Sequence, residues 1–435
     1  MALEAGFLFD LGTIVVAATI MSFIGRYLKQ PLILAYIATG LLLGPIGLGA
    51  LDLSLGGFSV GINTTEEVLI FAELGVAFLL FGVGVETNFS ILLGLGKTVL
   101  AGGVLQVFFT VLAVFFGAIF FNLFDFSQVV ILGLILAFSS TAIVVKILSD
   151  RHEIGTIHGK LLIGFLLVQD LLVIIALPFL KNTGAVFSAD LIAPVLVQSG
   201  FLLALAFVFN RFVYPKLFRF GSHSEELLFL ASVSSCFVFI LLAFLLDFSI
   251  GLAAFIAGLA LSNLPYNVEV FHKIKGLRDF FSTVFFVTLG MQINFSFTSI
   301  PVLALLFLVG VVFVFKPLVF FLMTLFAGYG ARIALTVALA LSQVSEFSFI
   351  IAQQGRQFLD TTPGLYSAII LIISVSMAAT PYFMKNSGRA FCFLKKHLEK
   401  HVGTKYNGVF TKKIDRLSGE FPALAGHLVI VGAGT

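Results

Sequence analysis

The chain has 435 residues, of which 60% are apolar and only 11% charged, and its net charge is +3. Soluble domains carry about 25% charged residues, so this composition excludes a soluble enzyme, a disordered protein, a collagen and a nucleic-acid binder. The apolar runs are continuous rather than alternating, which argues against a porin-like barrel and leaves an all-α polytopic membrane protein.

Apolar runs close to the ~20 residues that cross a bilayer as helix fall at 7–25, 31–49, 66–86, 98–121, 128–148, 159–180, 189–213, 224–246, 248–264, 276–292, 299–326, 330–353 and 364–384. They predict about thirteen transmembrane helices. The first carries Asp10 and lacks a basic leader, so it reads as a span rather than a cleaved signal. Span three holds Glu73. Span five is interrupted midway by Ser139-Ser140-Thr141, and span six places Gln169 and Asp170 near its centre. Only Asp247 divides spans eight and nine. Span eleven holds Lys316 followed by Pro317; span twelve holds Ser342-Gln343-Val344-Ser345-Glu346-Phe347-Ser348 at its middle. A basic tail follows from about Lys385, and the chain closes on His427–Thr435. Trp is absent, so Tyr27, Tyr214, Tyr266, Tyr329 and Tyr382, at the ends of apolar runs, are expected to form the interfacial belt. The two cysteines, Cys236 in an apolar run and Cys392 in the tail, imply no disulfide framework.

Alternate loops contain Arg26, Lys29, Lys97, Lys146, Arg151, Lys160, Arg211, Lys216, Arg219, Lys273, Lys275, Arg278 and Arg332, while the opposite loops contain Lys181 and Arg356. The basic side marks the cytoplasm, which puts the N-terminus outside and the tail inside.

Phe81-Gly-Val-Gly-Val-Glu-Thr-Asn-Phe-Ser90 resembles Val287-Thr-Leu-Gly-Met-Gln-Ile-Asn-Phe-Ser296, and the same shift of 206 residues lays Ser139–Val145 over Ser345–Ile351. A weaker match relates Ala35–Ala38 to Ala254–Ala257. Spans two, three and five thus pair with nine, ten and twelve. Partners seven spans apart lie upside down to each other, the inverted arrangement of secondary transporters. Spans 1–6 and 8–13 are read as the repeats, with span seven as linker.

A charge at the bilayer centre costs ~3 kcal/mol or more, and function is the default reason for keeping one. A midplane carboxylate at Asp170 binds a cation or a proton in competition, which is the logic of an exchanger. The hydroxyls and amides of spans five and twelve suit a crossed pair of broken helices, whose freed carbonyls and half-helix ends supply cation ligands. Lys316 is expected to neutralise a deep carboxylate. Pairing with Glu346 is the structural reading, pairing with Asp170 in one transport state the functional one. No His lies within a span, which leaves intramembrane haem and zinc without ligands, and no Thr-Val-Gly-Tyr-Gly filter is present.

Gln169-Asp170, Ser139-Ser-Thr-Ala-Ile143, Phe71-Ala-Glu-Leu-Gly75 and Glu346-Phe347 together resemble the Kef-type potassium:proton antiporters of the monovalent cation:proton antiporter group, over about residues 7–386. The resemblance implies a sodium/proton-antiporter-like fold, a homodimer, a scaffold domain and a moving core, and elevator-like access. Asp170 would be the carrier. Gln169, Ser139, Ser140 and Thr141 would stand around the ion, with K⁺ held at Asp170 and Gln169. Lys316, Glu346 and Glu73 would be supporting charges. Gln169 in place of a second acidic residue points toward potassium and one-for-one exchange. Ser345 stands where the family often has Gly.

In that setting 1–386 forms the transport domain, 387–426 a basic cytoplasmic linker, and 427–435 the first strand of a truncated Rossmann-like regulatory domain. Gly432 and Gly434 would begin its nucleotide fingerprint, for NAD(H) or an AMP-like ligand, and a cytoplasmic regulatory domain or subunit is an expected partner. The expected function is K⁺/H⁺ antiport and not enzymatic catalysis. A Na⁺/H⁺ antiporter and a channel-like, ligand-gated potassium efflux pathway are the alternatives.

Overall fold

The computed structural model describes residues 2–402, apart from 52–53, 56–57, 60–61, 63–65, 88–96, 178–188, 222–223, 247, 263 and 295–299. The expected nucleotide-binding segment with Gly432 and Gly434, most of the linker, Lys181 and Asp247 lie outside the described residues.

The described chain is helical. In order come α1 (Ala2–Tyr27), α2 (Leu32–Leu43), α3 (Glu66–Glu86), α4 (Lys97–Phe121), α5 (Phe126–Ala137), α6 (Thr141–Asp150), α7 (Ile157–Ala176), α8 (Ala189–Val208), α9 (Tyr214–Gly221), α10 (Glu225–Leu245), α11 (Ile250–Ser262), α12 (Asn267–Met291), α13 (Val302–Gly310), α14 (Lys316–Phe326), α15 (Ala331–Ala340), α16 (Phe347–Gln354), the short α17 (Arg356–Leu359) and α18 (Leu365–Val402). Single π-helical stretches, Phe209–Val213 and Val311–Phe315, join α8 to α9 and α13 to α14. A small antiparallel pair, β1 (Ser54–Leu55) and β2 (Phe58–Ser59), follows α2.

Among the described residues ten helical stretches are long and apolar enough to cross a membrane. The other three segments of the expected thirteen take different shapes. α11 has only 13 residues. α12 has 25 residues, but Glu269, Lys273, Lys275, Arg278 and Asp279 fill its first half. The segment 331–354 is split into α15 and α16. Helix length therefore does not establish a count of thirteen crossings. α18 also runs on to Val402, beyond the expected end of the membrane part at residue 386.

Glycines set the closest helix contacts. A Cβ on Gly40 of α2 would lie 1.9 Å from the Val287 carbonyl oxygen of α12, and one on Gly290 would lie 2.1 Å from that of Ile37. The crossing of α3 with α11 has the same design: a Cβ on Gly84 would meet Phe255 O at 2.3 Å, and one on Gly258 would meet Phe81 O at 2.3 Å. In lipid there is no hydrophobic drive between helices, so close backbone approach supplies the packing energy.

One buried cluster joins α1, α2, α3 and α12 through Ile14, Ala18, Leu43, Val68, Val284 and Val287. A second joins α4, α6, α7, α14, α15 and α18 through Val99, Val144, Leu162, Phe320, Val337 and Met384. The largest cluster runs through both groups. Tyr27 and Tyr382 are exposed as an interfacial role requires, but Tyr214 is 1% exposed. It packs edge-on against Phe209 and Phe218 rather than at a lipid interface.

A candidate ion site at two crossed helix breaks

Both sequence-predicted interruptions are real breaks. α5 stops at Ala137, Phe138 and Ser140 are extended (ψ 153° and 120°), and α6 restarts at Thr141. α15 stops at Ala340 and α16 restarts at Phe347. Each break leaves backbone groups without helical partners in a region where unsatisfied groups are costly. Side chains from neighbouring helices meet that need.

At the first break, Ser139 N–H donates to Gln169 Oε1 at 3.1 Å. Gln169 in turn donates its amide to Gln106 Oε1 on α4 and, at 3.4 Å, to Ala137 O. Gln106 Nε2 donates to Ala137 O at 3.0 Å and to Thr110 Oγ1 at 3.0 Å. At the second break, Val344 N–H donates to Ser376 Oγ at 3.0 Å and Phe347 N–H to Ser345 Oγ at 3.2 Å. Thr380 Oγ1 donates to Gln343 Oε1 at 3.0 Å. Three bonds stitch the breaks to each other: Ser139 Oγ to Leu341 O at 2.9 Å, Gln343 Nε2 to Ser140 O at 3.0 Å, and Ser348 Oγ to Ile135 O at 2.7 Å.

The charges are sorted by helix end. Lys316, fully buried, donates to Phe138 O at 2.6 Å and Gln343 O at 2.7 Å. Both carbonyls belong to chain just past a helix C-terminus, the partial negative pole. The carboxylates sit at the opposite poles. Thr141, the first residue of α6, donates to Asp170 Oδ2 at 2.8 Å, and Glu346 is the residue that precedes α16. Asp170 and Glu346 are near enough to act on each other electrostatically, and Glu346 Oε2 is buried without a hydrogen-bond partner.

The expected Lys316–Glu346 ion pair is therefore not formed. Lys316 serves the C-terminal carbonyls, while Glu346 stands at the N-terminus of α16. A pairing of Lys316 with Asp170 is likewise absent from this arrangement. Gln169 stands beside the site as expected, but its oxygen is engaged by Ser139 N–H. Ser139 and Ser140 are buried at the break, and Ser140 Oγ accepts from Ile143 N–H at 3.5 Å as the cap of α6. Glu73 is elsewhere, on an exposed face of α3 lining a separate cavity.

Gln106 was not singled out by sequence reading. Its one signal was a lone amide in the apolar run of span four. Ser376 and Thr380 gave less, since single hydroxyls in apolar helices ordinarily bond to their own preceding turn.

The arrangement offers an acidic centre fixed by a braced backbone, with an ammonium held away from it.

The sodium/hydrogen exchanger, transmembrane, family matches residues 14–385. K(+) efflux antiporter 5 of Arabidopsis thaliana is 28% identical over 389 residues, 86% of this chain and 66% of the relative. The chain thus spans slightly less than two thirds of that relative's length. A Na(+)/H(+) antiporter of Enterococcus hirae is 28% identical over 379 residues, 86% of this chain and 95% of the relative. The fold is shared with the sodium proton antiporter MjNhaP1 of Methanocaldococcus jannaschii, at a TM-score of 0.64 with 18% identity, covering 89% of this chain and 99% of the other.

Proposed function

The chain belongs to the sodium/hydrogen exchanger family, and we propose that it exchanges a monovalent cation, K⁺ in first place, for H⁺ across the membrane. The observation that carries this reading is Asp170: a part-buried carboxylate at the crossing of two helix breaks, held by one hydrogen bond from Thr141. Proton and cation compete for it. Thr141, Glu346 and water complete the cation's shell, and Gln169 braces the break through Ser139.

The inverted repeat is part of the same reading. At the shift of 206 residues that links α6 to α16, Ala137 O corresponds to Gln343 O, and each carbonyl takes a side-chain donor from another helix, Gln106 Nε2 on the first and Lys316 Nζ on the second. The glycine crossings exchange roles in the same way, α2 with α12 and α11 with α3. Two bodies follow, a scaffold of α1–α3 and α10–α12 and a core around the crossing, which moves as an elevator. Among the described residues, polar contacts between the bodies gather at two ends: Gln30 Nε2 to Tyr382 OH at 3.0 Å at one, and Arg356 Nη1 to Gln292 Oε1 at 2.7 Å, Tyr366 OH to Gln292 Oε1 at 3.2 Å and Asn294 N–H to Ser367 Oγ at 2.8 Å at the other. The scaffold is the natural surface for a second copy. The Arg151 end, where the basic loops gather, faces the cytoplasm.

Potassium is placed first on the resemblance of Gln169-Asp170 and on the potassium-efflux relative; sodium is the alternative that the Enterococcus relative favours. The test is proton movement in proteoliposomes under imposed K⁺ or Na⁺ gradients with the membrane potential clamped. Saturable proton flux driven by K⁺ more strongly than by Na⁺ supports the reading. Cation flux without proton movement would make the protein a channel-like pathway.

A further inference from the structure

Where α1, α2 and α12 meet, a groove of about 340 Å³ opens on the outside of the bundle. Its α1 wall is Val15, Ala18, Thr19, Ser22, Phe23 and Arg26, one face of the helix at three- and four-residue spacing. Leu32 and Tyr36 of α2 and Phe280 and Thr283 of α12 form the other walls. The groove shares no residue with the Asp170 site.

Its chemistry changes along its length. The hydroxyls of Thr19, Ser22 and Thr283 donate to carbonyls of their own helices at 2.8, 2.6 and 2.8 Å. The walls therefore offer mainly methyl, methylene and aromatic surface. Among the described residues that line the groove, Arg26 carries the only charge. Asp279, next to Phe280 in sequence, is not among them and is engaged by Arg278 at 2.8 Å. Lys29 brings a second cation to the same end. It stands in the turn that closes α1, where Gln30 N–H returns to Gly25 O at 2.8 Å. Its φ is 57°, the left-handed position that glycine usually fills at a helix end and that costs any other residue free energy. The same turn carries Gln30, whose amide donates to Tyr382 OH on α18.

Length and charge select the occupant. Val15 and Arg26 are about 16 Å apart along the helix axis, about half of the ~30 Å hydrocarbon core. The groove thus runs one leaflet deep, apolar toward the middle of the bilayer and cationic at headgroup level. Basic pockets between helices at that level suit anionic headgroups. A second copy is poorly matched: a twofold contact presents the same patch, which brings another cation and no carboxylate.

We propose that this groove holds one acyl chain of an anionic phospholipid from the leaflet at the Arg26 end, with Arg26 and Lys29 on its phosphate. The headgroup then lies beside the Gln30–Tyr382 contact between scaffold and core. Binding is read without transport, so failure of the exchange reading leaves the proposal untouched.

The experiment titrates phosphatidylglycerol into purified, detergent-solubilised protein and reads bound lipid by native mass spectrometry. Phosphatidylcholine with the same acyl chains is the reference, and inorganic phosphate the soluble competitor. One phosphatidylglycerol per chain should bind more tightly than phosphatidylcholine. A basic residue at an anionic lipid surface is worth a factor of about five. Arg26→Gln and Lys29→Gln should each weaken phosphatidylglycerol about fivefold and leave phosphatidylcholine unchanged, while Arg26→Lys retains most of the difference. Arg332→Gln, on α15 and outside the groove, should change nothing. Thr19→Phe, at an exposed position, fills the groove and should remove the tight phosphatidylglycerol molecule. Elution as a single folded species is checked for every variant. Equal binding of the two lipids, indifference of phosphatidylglycerol to both glutamine variants, or its displacement by inorganic phosphate at equal concentration overturns the proposal. So does a Thr19→Phe variant that splits a lipid-free dimer, since a second copy would then occupy the groove.

Discussion

Removing the Lys316 ammonium leaves the carbonyls of Phe138 and Gln343 unpaired inside the protein, and each unsatisfied buried acceptor costs ~1–3 kcal/mol. Lys316→Met is accordingly expected to lower the melting temperature of the purified protein strongly. Because the ammonium does not touch Glu346, Glu346→Gln should not rescue it. Both residues belong to the network that joins the two breaks, so their losses are expected to couple, but the double variant should be no more stable than Lys316→Met alone; recovery would restore the ion pair to the account. Asp170→Asn keeps the shape of the side chain and its place beside Thr141 while removing the titratable charge. Coupled exchange should vanish from proteoliposomes with the folded species intact; K⁺-driven proton movement in that variant would sink the role given to Asp170. Sequence reading reached Asp170 because a charge in an apolar run stands out. It misassigned the partner of Lys316 because charge balance names which residues are available, not which helix pole each one faces.

The α3–α11 and α2–α12 crossings owe their closeness to paired glycine contacts that leave no room for a side chain. Gly84 and Gly258 each face a carbonyl oxygen of the other helix, and an added Cβ at 2.3 Å forces the helices apart. Gly84→Ala should cost ~1–3 kcal/mol as overpacking does, read as a lower melting temperature, whereas Gly276→Ala, with nothing within 4 Å of its added Cβ, should be near neutral. Equal behaviour of the two would mean that the α3–α11 crossing is looser than its geometry. The breaks at Ser139–Ser140 and at residues 341–346 were legible because hydroxyls and amides interrupted two long apolar runs. The bracing elements were not: Gln106 on α4 and Ser376 on α18 sit in ordinary apolar helices, and only packing brings them to the freed N–H and C=O groups.

On the scale of the whole protein, the number of charges moved per cycle depends on how many groups titrate. One-for-one exchange requires that Asp170 alone alternate between proton and cation while Glu346, its neighbour across the crossing, keeps one protonation state. Exchange should then proceed at a rate and with a reversal point independent of membrane potential. A reversal point that moves with voltage would show a second titrating group, and its disappearance in Glu346→Gln rather than Lys316→Met would say which. The polar contacts between the two bodies make a further prediction. Arg356→Gln removes the shorter of the two contacts, from Arg356 and Tyr366, that tie Gln292 to the core, and should change the apparent turnover without changing the preference between K⁺ and Na⁺. An altered preference would place Arg356 in the ion's path instead of at the seam.

Composition and pattern by themselves determined the solvent in which this chain lives, the order of its apolar helices, the two interruptions and the carboxylate beside them, because each of these is a local departure from apolarity that insertion in a membrane makes costly. The tertiary structure alone decided what each polar group is for. The bonds that settle it join Lys316 to Phe138 across 178 residues and Gln343 to Ser140 across 203. Partners so far apart are chosen by how helices cross and which ends of the half-helices meet. That is why Lys316 finds carbonyls and not a carboxylate, why Gln169 holds a backbone N–H, and why Glu73 lies away from Asp170.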